Sequence, residues 1–355
     1  MIPLRTGQRL IIAALIAGAI GAAILAYYRL RDDFHWDIFL ATYKTLDPFY
    51  LAVACLMILL SYIVRALRWR IMLRPLQPHP HLWGLISATC IGYTAVTLFG
   101  RPGELVRPYL IAARERVPFS SQIAAWLLER IYDLMMVLLI FGFALTRIPK
   151  HRGALGPALT WILATGGYTA AGIGLICVII LVAAGRFSDT TRRRIAAGLA
   201  FLPDRMHRKA DELVHAFTSG VACTRSVAQV AQLFLWSIAE WLLIASCTLC
   251  LFRAFRATAA MGWVEVVIFL GFVTFGSIVQ IPGIGGGMQV AGVLVLTKFL
   301  GLRFEAAASL SLLFWVLGFV LIVPFGLGIM FVEGVKLRSL RHIGETEANS
   351  PAAVS

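Results

Sequence analysis

Long, mostly apolar stretches recur along the chain at lengths that match a hydrocarbon layer. A layer of about 30 Å needs roughly 20 residues of helix rising about 1.5 Å each. Leu10 to Tyr28, Pro48 to Val64, Ile123 to Leu145, Pro157 to Ala184 and Val227 to Phe252 meet that length, and Phe304 to Val332 exceeds it enough to tilt. Two stretches fit poorly. Trp83 to Gly100 is short, is dotted with Ser87, Thr89, Tyr93, Thr94 and Thr97, and runs into Arg101-Pro102-Gly103-Glu104. Trp263 to Leu300 is too long for one span and is interrupted at Pro282-Gly283-Ile284-Gly285-Gly286-Gly287. The pattern predicts an all-α polytopic integral membrane protein with six full transmembrane helices and two re-entrant or broken helical segments, 83–107 and 263–300.

The first apolar run resembles a secretory signal, since Arg5 and Arg9 precede it. Its apolar core is too long for one, and further apolar spans follow, so it reads as a retained helix. Ala14, Gly18 and Ala22 recur at every fourth position, the spacing that close helix packing in lipid prefers. The membrane domain is expected over 10–335, with 336–355 a short cytoplasmic tail. Within that domain 186–225 is the one sizeable extramembrane loop. It starts at Arg192-Arg193-Arg194 and reads either as a basic amphipathic helix on the inner leaflet or as a solvated connector.

Composition agrees with a membrane chain. Of 355 residues 59% are hydrophobic and 14% charged, which leaves too little polar surface for a soluble protein of this size. The net charge of +14 comes from 32 Lys and Arg against 18 Asp and Glu. Nucleic-acid binding is excluded as the reason, because such proteins carry their cations on a polar fold. Topology explains the excess instead. With six spans and both termini cytoplasmic, 21 of the basic residues fall inside and 10 outside, with Arg130 within a span, as the positive-inside rule requires. The two interrupted segments then enter from opposite faces. Both contain Pro-Gly, at Pro102-Gly103 and Pro282-Gly283, and glycine- or proline-broken apolar segments in corresponding places suggest inverted pseudo-repeats around a midplane site.

Ionisable groups inside a span are expensive and need a partner or a role. Glu129 and Asp133 lie on one helical face four residues apart, with Arg130 beside them. Arg101, Glu104 and Arg107 supply matching charges, and Glu104 and Arg107 share a face of the helix after Gly103. Arg101 and Arg107, with the amides opening that helix, are suited to an anionic head group such as a lipid phosphate. One of Glu104, Glu129 and Asp133 could carry a proton that couples or gates movement. The competing reading is a buried ion network that pins the hairpin. Glu240 has no cation near it in sequence, and it either faces the same cavity or carries a proton. Gly285, Gly286 and Gly287, flanked by Gln280 and Gln289, lack the Lys-Ser/Thr of a nucleotide loop. In a membrane they let the backbone unwind and approach a substrate or another helix.

No metal site and no cofactor are predicted. The cysteines at 55, 90, 177, 223, 247 and 250 have no zinc-like spacing, and His79-Pro80-His81 reads as loop histidines.

Tyr62-Ile-Val-Arg65-Ala-Leu-Arg68-Trp69-Arg70, Arg101-Pro-Gly103-Glu104-Leu-Val-Arg107, Glu129-Arg130-Ile-Tyr-Asp133 and the Pro282 to Gly287 turn resemble, in order and spacing, the flippase-like membrane domain of lysylphosphatidylglycerol synthases. The chain departs from that pattern in having Phe99 where the family often has proline. The resemblance implies a bacterial inner-membrane protein that moves or presents lipids, with Arg68, Arg101, Gly103 and Arg107 at the head group. Longer members append a soluble aminoacyl-transferring domain. None is expected here, so no enzyme activity is expected either. The implied partners are membrane lipids from an aminoacyl-phospholipid, glycolipid or hopanoid pathway, or else a lipid-modifying enzyme that the chain assists.

Overall fold

The computed structural model describes residues 35–151, 168, 169, 172, 227–277, 280, 281 and 285–334. The expected spans at 10–28 and 157–184, the loop 186–225, the tail 336–355, and Pro282 and Gly283 lie outside these residues, apart from the three isolated positions near 170.

A short helix, α1 (Trp36–Lys44), leads into α2 (Pro48–Leu73). Asp47 caps α2 by accepting from the amides of Phe49 (2.9 Å) and Tyr50 (3.4 Å), and Pro48 fills the first turn, where its missing N–H is no loss. Along α2 the buried positions Ala54, Ile58, Ser61, Ala66, Trp69 and Met72 recur at helical spacing, and Arg68 lies among them.

Next come α3 (Leu82–Phe99), a 3₁₀ turn (Arg101–Leu105) and α4 (Val106–Glu115). The segment expected to be short and re-entrant contains one unbroken 18-residue helix, long and apolar enough to cross a membrane. Its hydroxyls are satisfied within the helix. Thr89 donates to the Leu85 carbonyl (2.7 Å) and Thr97 to that of Tyr93 (3.0 Å), so neither needs water. Gly100, at φ +71°, turns the chain, and α4 runs back along α3. A Cβ at Gly92 would stand 2.6 Å from Cβ of Arg107, and one at Gly103 would overlap the Ala95 carbonyl. Only glycine permits this approach.

The chain continues through α5 (Phe119–His151), α6 (Val227–Ala254) and α7 (Trp263–Gly276). A two-residue antiparallel ladder pairs Gln280–Ile281 with Gly285–Gly286. Then follow α8 (Gly287–Leu294), α9 (Phe304–Trp315) and α10 (Ile322–Glu333). A π turn, Val295–Phe299, extends α8, and another, Val316–Val320, joins α9 to α10. Four helical stretches are long and apolar enough to cross a membrane: α2, α3, Ala228–Ala254 and the joined α9–α10. The 33-residue α5 is also long enough, but Glu129, Arg130 and Asp133 interrupt its apolar run. Of the six expected full spans, α2, α6 and the joined α9–α10 are among these four, α5 is a helix whose charges interrupt its apolar run, and the other two lie outside the described residues; the fourth stretch, α3, falls in a segment expected to be re-entrant. The helices that flank the glycine-rich ladder are each too short to cross.

α2 and α6 pack along each other in opposite directions, and the Asp47 amide donates to the Ala254 carbonyl (3.0 Å). The α3–α4 hairpin follows the C-terminal end of α2. The α7–α8 hairpin follows the C-terminal end of α6, which lies beside the N-terminus of α2. The two hairpins therefore enter the bundle from opposite ends. Two apolar clusters hold the ends together: one centres on Trp69, Ile91 and Met135, the other on Phe252, Phe269 and Leu310. Arg65 and Glu240 fall in the gap between them on α2 and α6.

Candidate functional site

That gap holds a buried ion network. Arg68 is fully enclosed and reaches four groups: Glu129 (2.7 Å), Asp133 (2.8 Å), Glu240 (3.1 Å) and the Ser237 hydroxyl (3.1 Å). One turn earlier on α2, Arg65 pairs with Glu240 at 2.8 Å and donates to the Tyr93 hydroxyl. Arg107 pairs with Glu129, and Arg130 approaches Glu129 (3.5 Å) and Asp133 (3.4 Å). Glu129 thus accepts from three arginines, which is how it and Asp133 share one face of α5 without repelling. The fork of donors on each guanidinium lets one cation bridge several helices.

Aromatic rings fix two of these cations. The Arg107 guanidinium lies 4.1 Å from the centre of the Trp69 ring and 5.4 Å from that of Tyr93, with Arg65 4.9 Å over Tyr93 from its own side. Trp69 is held in turn by its indole N–H, which donates to Gln122 (2.9 Å).

A cavity of about 430 Å³ opens beside the network. Arg65, Arg107, Arg130, Asp133 and Glu240 form its polar wall, and Leu134, Val137, Ile244, Phe275 and Phe319 an apolar one. Both hairpins reach it. Arg101 and Glu104 come from the tip of the α3–α4 hairpin, and Thr274, Phe275, Ser277 and Met288 from the tip of the α7–α8 hairpin. The π turn joining α9 to α10 reaches it through Gly318 and Phe319, whose carbonyls accept from Tyr62 (2.7 Å) and Thr97 (3.0 Å). π turns of this kind recur at functional sites.

Among the residues expected to meet a head group, Arg101 and Arg107 line the cavity, while Arg68 lies behind its wall as the hub of the network. Gly103 is packed against Ala95 and shapes the hairpin without facing the cavity. Glu104, Arg130, Asp133 and Glu240 line it, and Glu129 is buried behind it. Glu240, without a cation near it in sequence, meets two arginines of α2. Gly285 and Gly286 form the ladder, Gly287 packs against Gly276, and the Gln289 side chain accepts from the Gly286 amide (2.7 Å). Gly286 has φ +121°, a conformation that side-chain-bearing residues avoid. Sequence reasoning missed Arg65, Tyr93, Trp69 and Trp241 as parts of the site. Arg65 was findable, being three residues before Arg68 on the same face. His81, read as a loop histidine, caps α3 by accepting from the Gly84 amide (3.4 Å).

A protein named Glycosyltransferase AglD, from Haloferax volcanii, is 24% identical to this chain over 229 aligned residues. The match takes in 56% of this chain and 36% of that relative, so the chain spans about a third of the relative's length. The apolar helices and the embedded network describe a multi-pass membrane protein. Residues 10–326, every member of the network among them, match the lysylphosphatidylglycerol synthase TM region, and the chain belongs to that family.

Proposed function

We propose that the protein is a flippase-like lipid translocase of the bacterial inner membrane, with an anionic phospholipid or a related glycolipid or hopanoid lipid as cargo. The observation that carries this reading is the cavity. It has one arginine-rich wall and one apolar wall, as an amphipathic molecule requires, and hairpins from opposite ends of the bundle converge on it. Opposed interrupted hairpins meeting at one site are the arrangement that alternating access needs, with each tip controlling one side. In this reading the chain has six full spans, inverted pseudo-repeats and cytoplasmic termini. It performs transport and no chemical step of its own.

The test is reconstitution into liposomes with fluorescent head-group lipids, followed by quenching of the outer leaflet. The wild type is expected to expose inner-leaflet lipid faster than empty vesicles, and Arg107→Gln to abolish the gain. Rates equal to empty vesicles would overturn the proposal.

A second reading is an accessory that assists a lipid-modifying enzyme without moving lipid. The named glycosyltransferase supports it, since most of that relative's length lies beyond the matched region. A stable enzyme partner recovered with a protein inactive in vesicles would favour it.

A further inference from the structure

The longest of the four apolar crossings, Phe304–Glu333, is not one regular α-helix. Midway, at Val316–Val320, its turns widen to π, and the Leu321 amide donates to the Val316 carbonyl five residues back (2.9 Å). Pro324 accounts for the break. It has no N–H for the Val320 carbonyl four residues back, and its ring crowds that carbonyl. Gly318 stands inside the π turn, where a Cβ would meet nothing within 4 Å. In a membrane, carbonyls at such a break need donors from elsewhere in the protein. Tyr62 of α2 donates to Gly318 (2.7 Å), and Thr97 and Thr94 of α3 donate to Phe319 (3.0 Å) and Ile322 (3.4 Å).

The two arms of this crossing are fastened to different neighbours. α10 lies along α3, and a Cβ at Gly326 would overlap the Thr94 hydroxyl. At the far end of α10, Glu333 accepts from Ser87 (2.7 Å) and Arg114 (2.5 Å), which ties it to both helices of the α3–α4 hairpin. α9 packs on α8 and α1 instead. A Cβ at Gly292 of α8 would stand 2.6 Å from the Ser311 hydroxyl, Tyr43 of α1 donates to the Ser309 carbonyl (3.0 Å), and the Ser309 hydroxyl donates to that of Phe39 (3.3 Å). The junction between the two groups of helices falls where the helical hydrogen-bond ladder is broken.

We propose that Val316–Pro324 is a hinge about which α9, carrying α8 and α1, swings against α10, carrying the α3–α4 hairpin. Kinks at proline and at π turns commonly exceed about 20°. α9 has 12 residues, a lever of about 18 Å, so a change of about 20° moves its far end by about 6 Å. The cavity lies at the joint, with Gly318 and Phe319 in its wall, Phe314 on the α9 side and Met288 on α8. The swing therefore changes its width from the neutral side. Linking the swing to lipid movement rests on the translocase reading; the hinge itself does not.

The experiment measures spin-label distances by pulsed electron resonance in the full-length protein, cysteine-free apart from the labelled sites, in liposomes. Phe304→Cys on α9 and Leu98→Cys on α3, both exposed, span the hinge, whereas Leu98→Cys with Phe331→Cys on α10 stays within one group. The spanning pair is expected to show two distances separated by several ångströms, and the second pair one. Pro324→Ala, at an exposed position outside the cavity wall, restores the missing N–H and should collapse the spanning pair to one distance without loss of thermal stability. In the vesicle assay it should slow lipid exposure about tenfold. One distance for the spanning pair in the wild type overturns the hinge, as does a distribution unchanged by Pro324→Ala. A collapsed distribution with undiminished lipid exposure overturns its part in transport. Two distances in a wild type that moves no lipid support the hinge while the translocase reading fails.

Discussion

Replacing Glu129 with glutamine removes the acid that most of the network shares. Glu129 is fully buried and accepts from Arg68 at 2.7 Å, from Arg107, and from Arg130 at 3.5 Å. Breaking a buried ion pair by removing one partner costs about 3–5 kcal/mol, because the other charge stays buried. Arg68 retains Asp133 at 2.8 Å and Glu240 at 3.1 Å, so its loss is partial. Arg107 loses its one carboxylate partner and keeps the ring faces of Trp69 and Tyr93, which return about 1–2 kcal/mol. The net expectation is a loss of about 3 kcal/mol, or roughly two orders of magnitude in the folding equilibrium. Reversible unfolding in mixed micelles, followed by helicity against sodium dodecyl sulfate, measures it. Combining Glu129→Gln with Arg107→Met removes one charge of each sign, and the pair should cost less than the sum of the singles by about 1–3 kcal/mol. A loss below about 0.5 kcal/mol for Glu129→Gln, or strict additivity in the double variant, would refute the pairing argument.

Gly103→Ala should prevent the α3–α4 hairpin from closing, because the new methyl overlaps the Ala95 backbone; Gly84→Ala, with nothing nearer than 3.7 Å, should be tolerated. Thermal stability of the two variants in detergent separates them, and equal stability would sink the close-approach argument. Tyr62→Phe removes the donor to the Gly318 carbonyl in the π turn (2.7 Å) and should cost about 1 kcal/mol in the same unfolding assay. If the hairpins enter from opposite membrane faces, single cysteines at His79 and Ala260, introduced on a cysteine-free background, should react from opposite sides with an impermeant maleimide. Labelling of both in intact cells would contradict the topology.

Much of the architecture was legible because helical spans announce themselves by apolar length. The reach of α2 and α6, and the break at Gly285–Gly287, follow from that length and from glycine's freedom. α3 reads as short and polar-spotted because its threonines look like interruptions. Their hydroxyls bond to carbonyls one turn back, so the sequence looks wetter than the helix is. The site was half legible. Glu129, Arg130 and Asp133 stand out as charges in an apolar run, but their partners Arg65 and Arg68 sit near the end of another span and look like topology signals. Glu240 looked isolated because its cations come from α2, far away in sequence. Ion pairs between helices depend on register across the bundle, and no local pattern encodes that.

Register also explains why this network needs glycines that carry no chemistry. Arg107 reaches Glu129 from a helix that must lie almost in backbone contact with α3, because Gly92 and Gly103 are the points where α3 and the returning chain meet. A side chain at either point would push the hairpin outward. A displacement of even an ångström or so would stretch the Arg107 pair and lift its guanidinium off the Trp69 ring. In a hydrocarbon surround the separated charges could not turn to water instead. The α7–α8 hairpin meets the same packing demand at Gly276 and Gly287, but the described residues it brings to the cavity, Leu270, Val273, Thr274, Phe275, Ser277 and Met288, carry no charge. The two hairpins are thus alike in backbone and unlike in chemistry. One positions the charged wall, and the other closes the cavity with neutral groups that can part from it without breaking an ion pair.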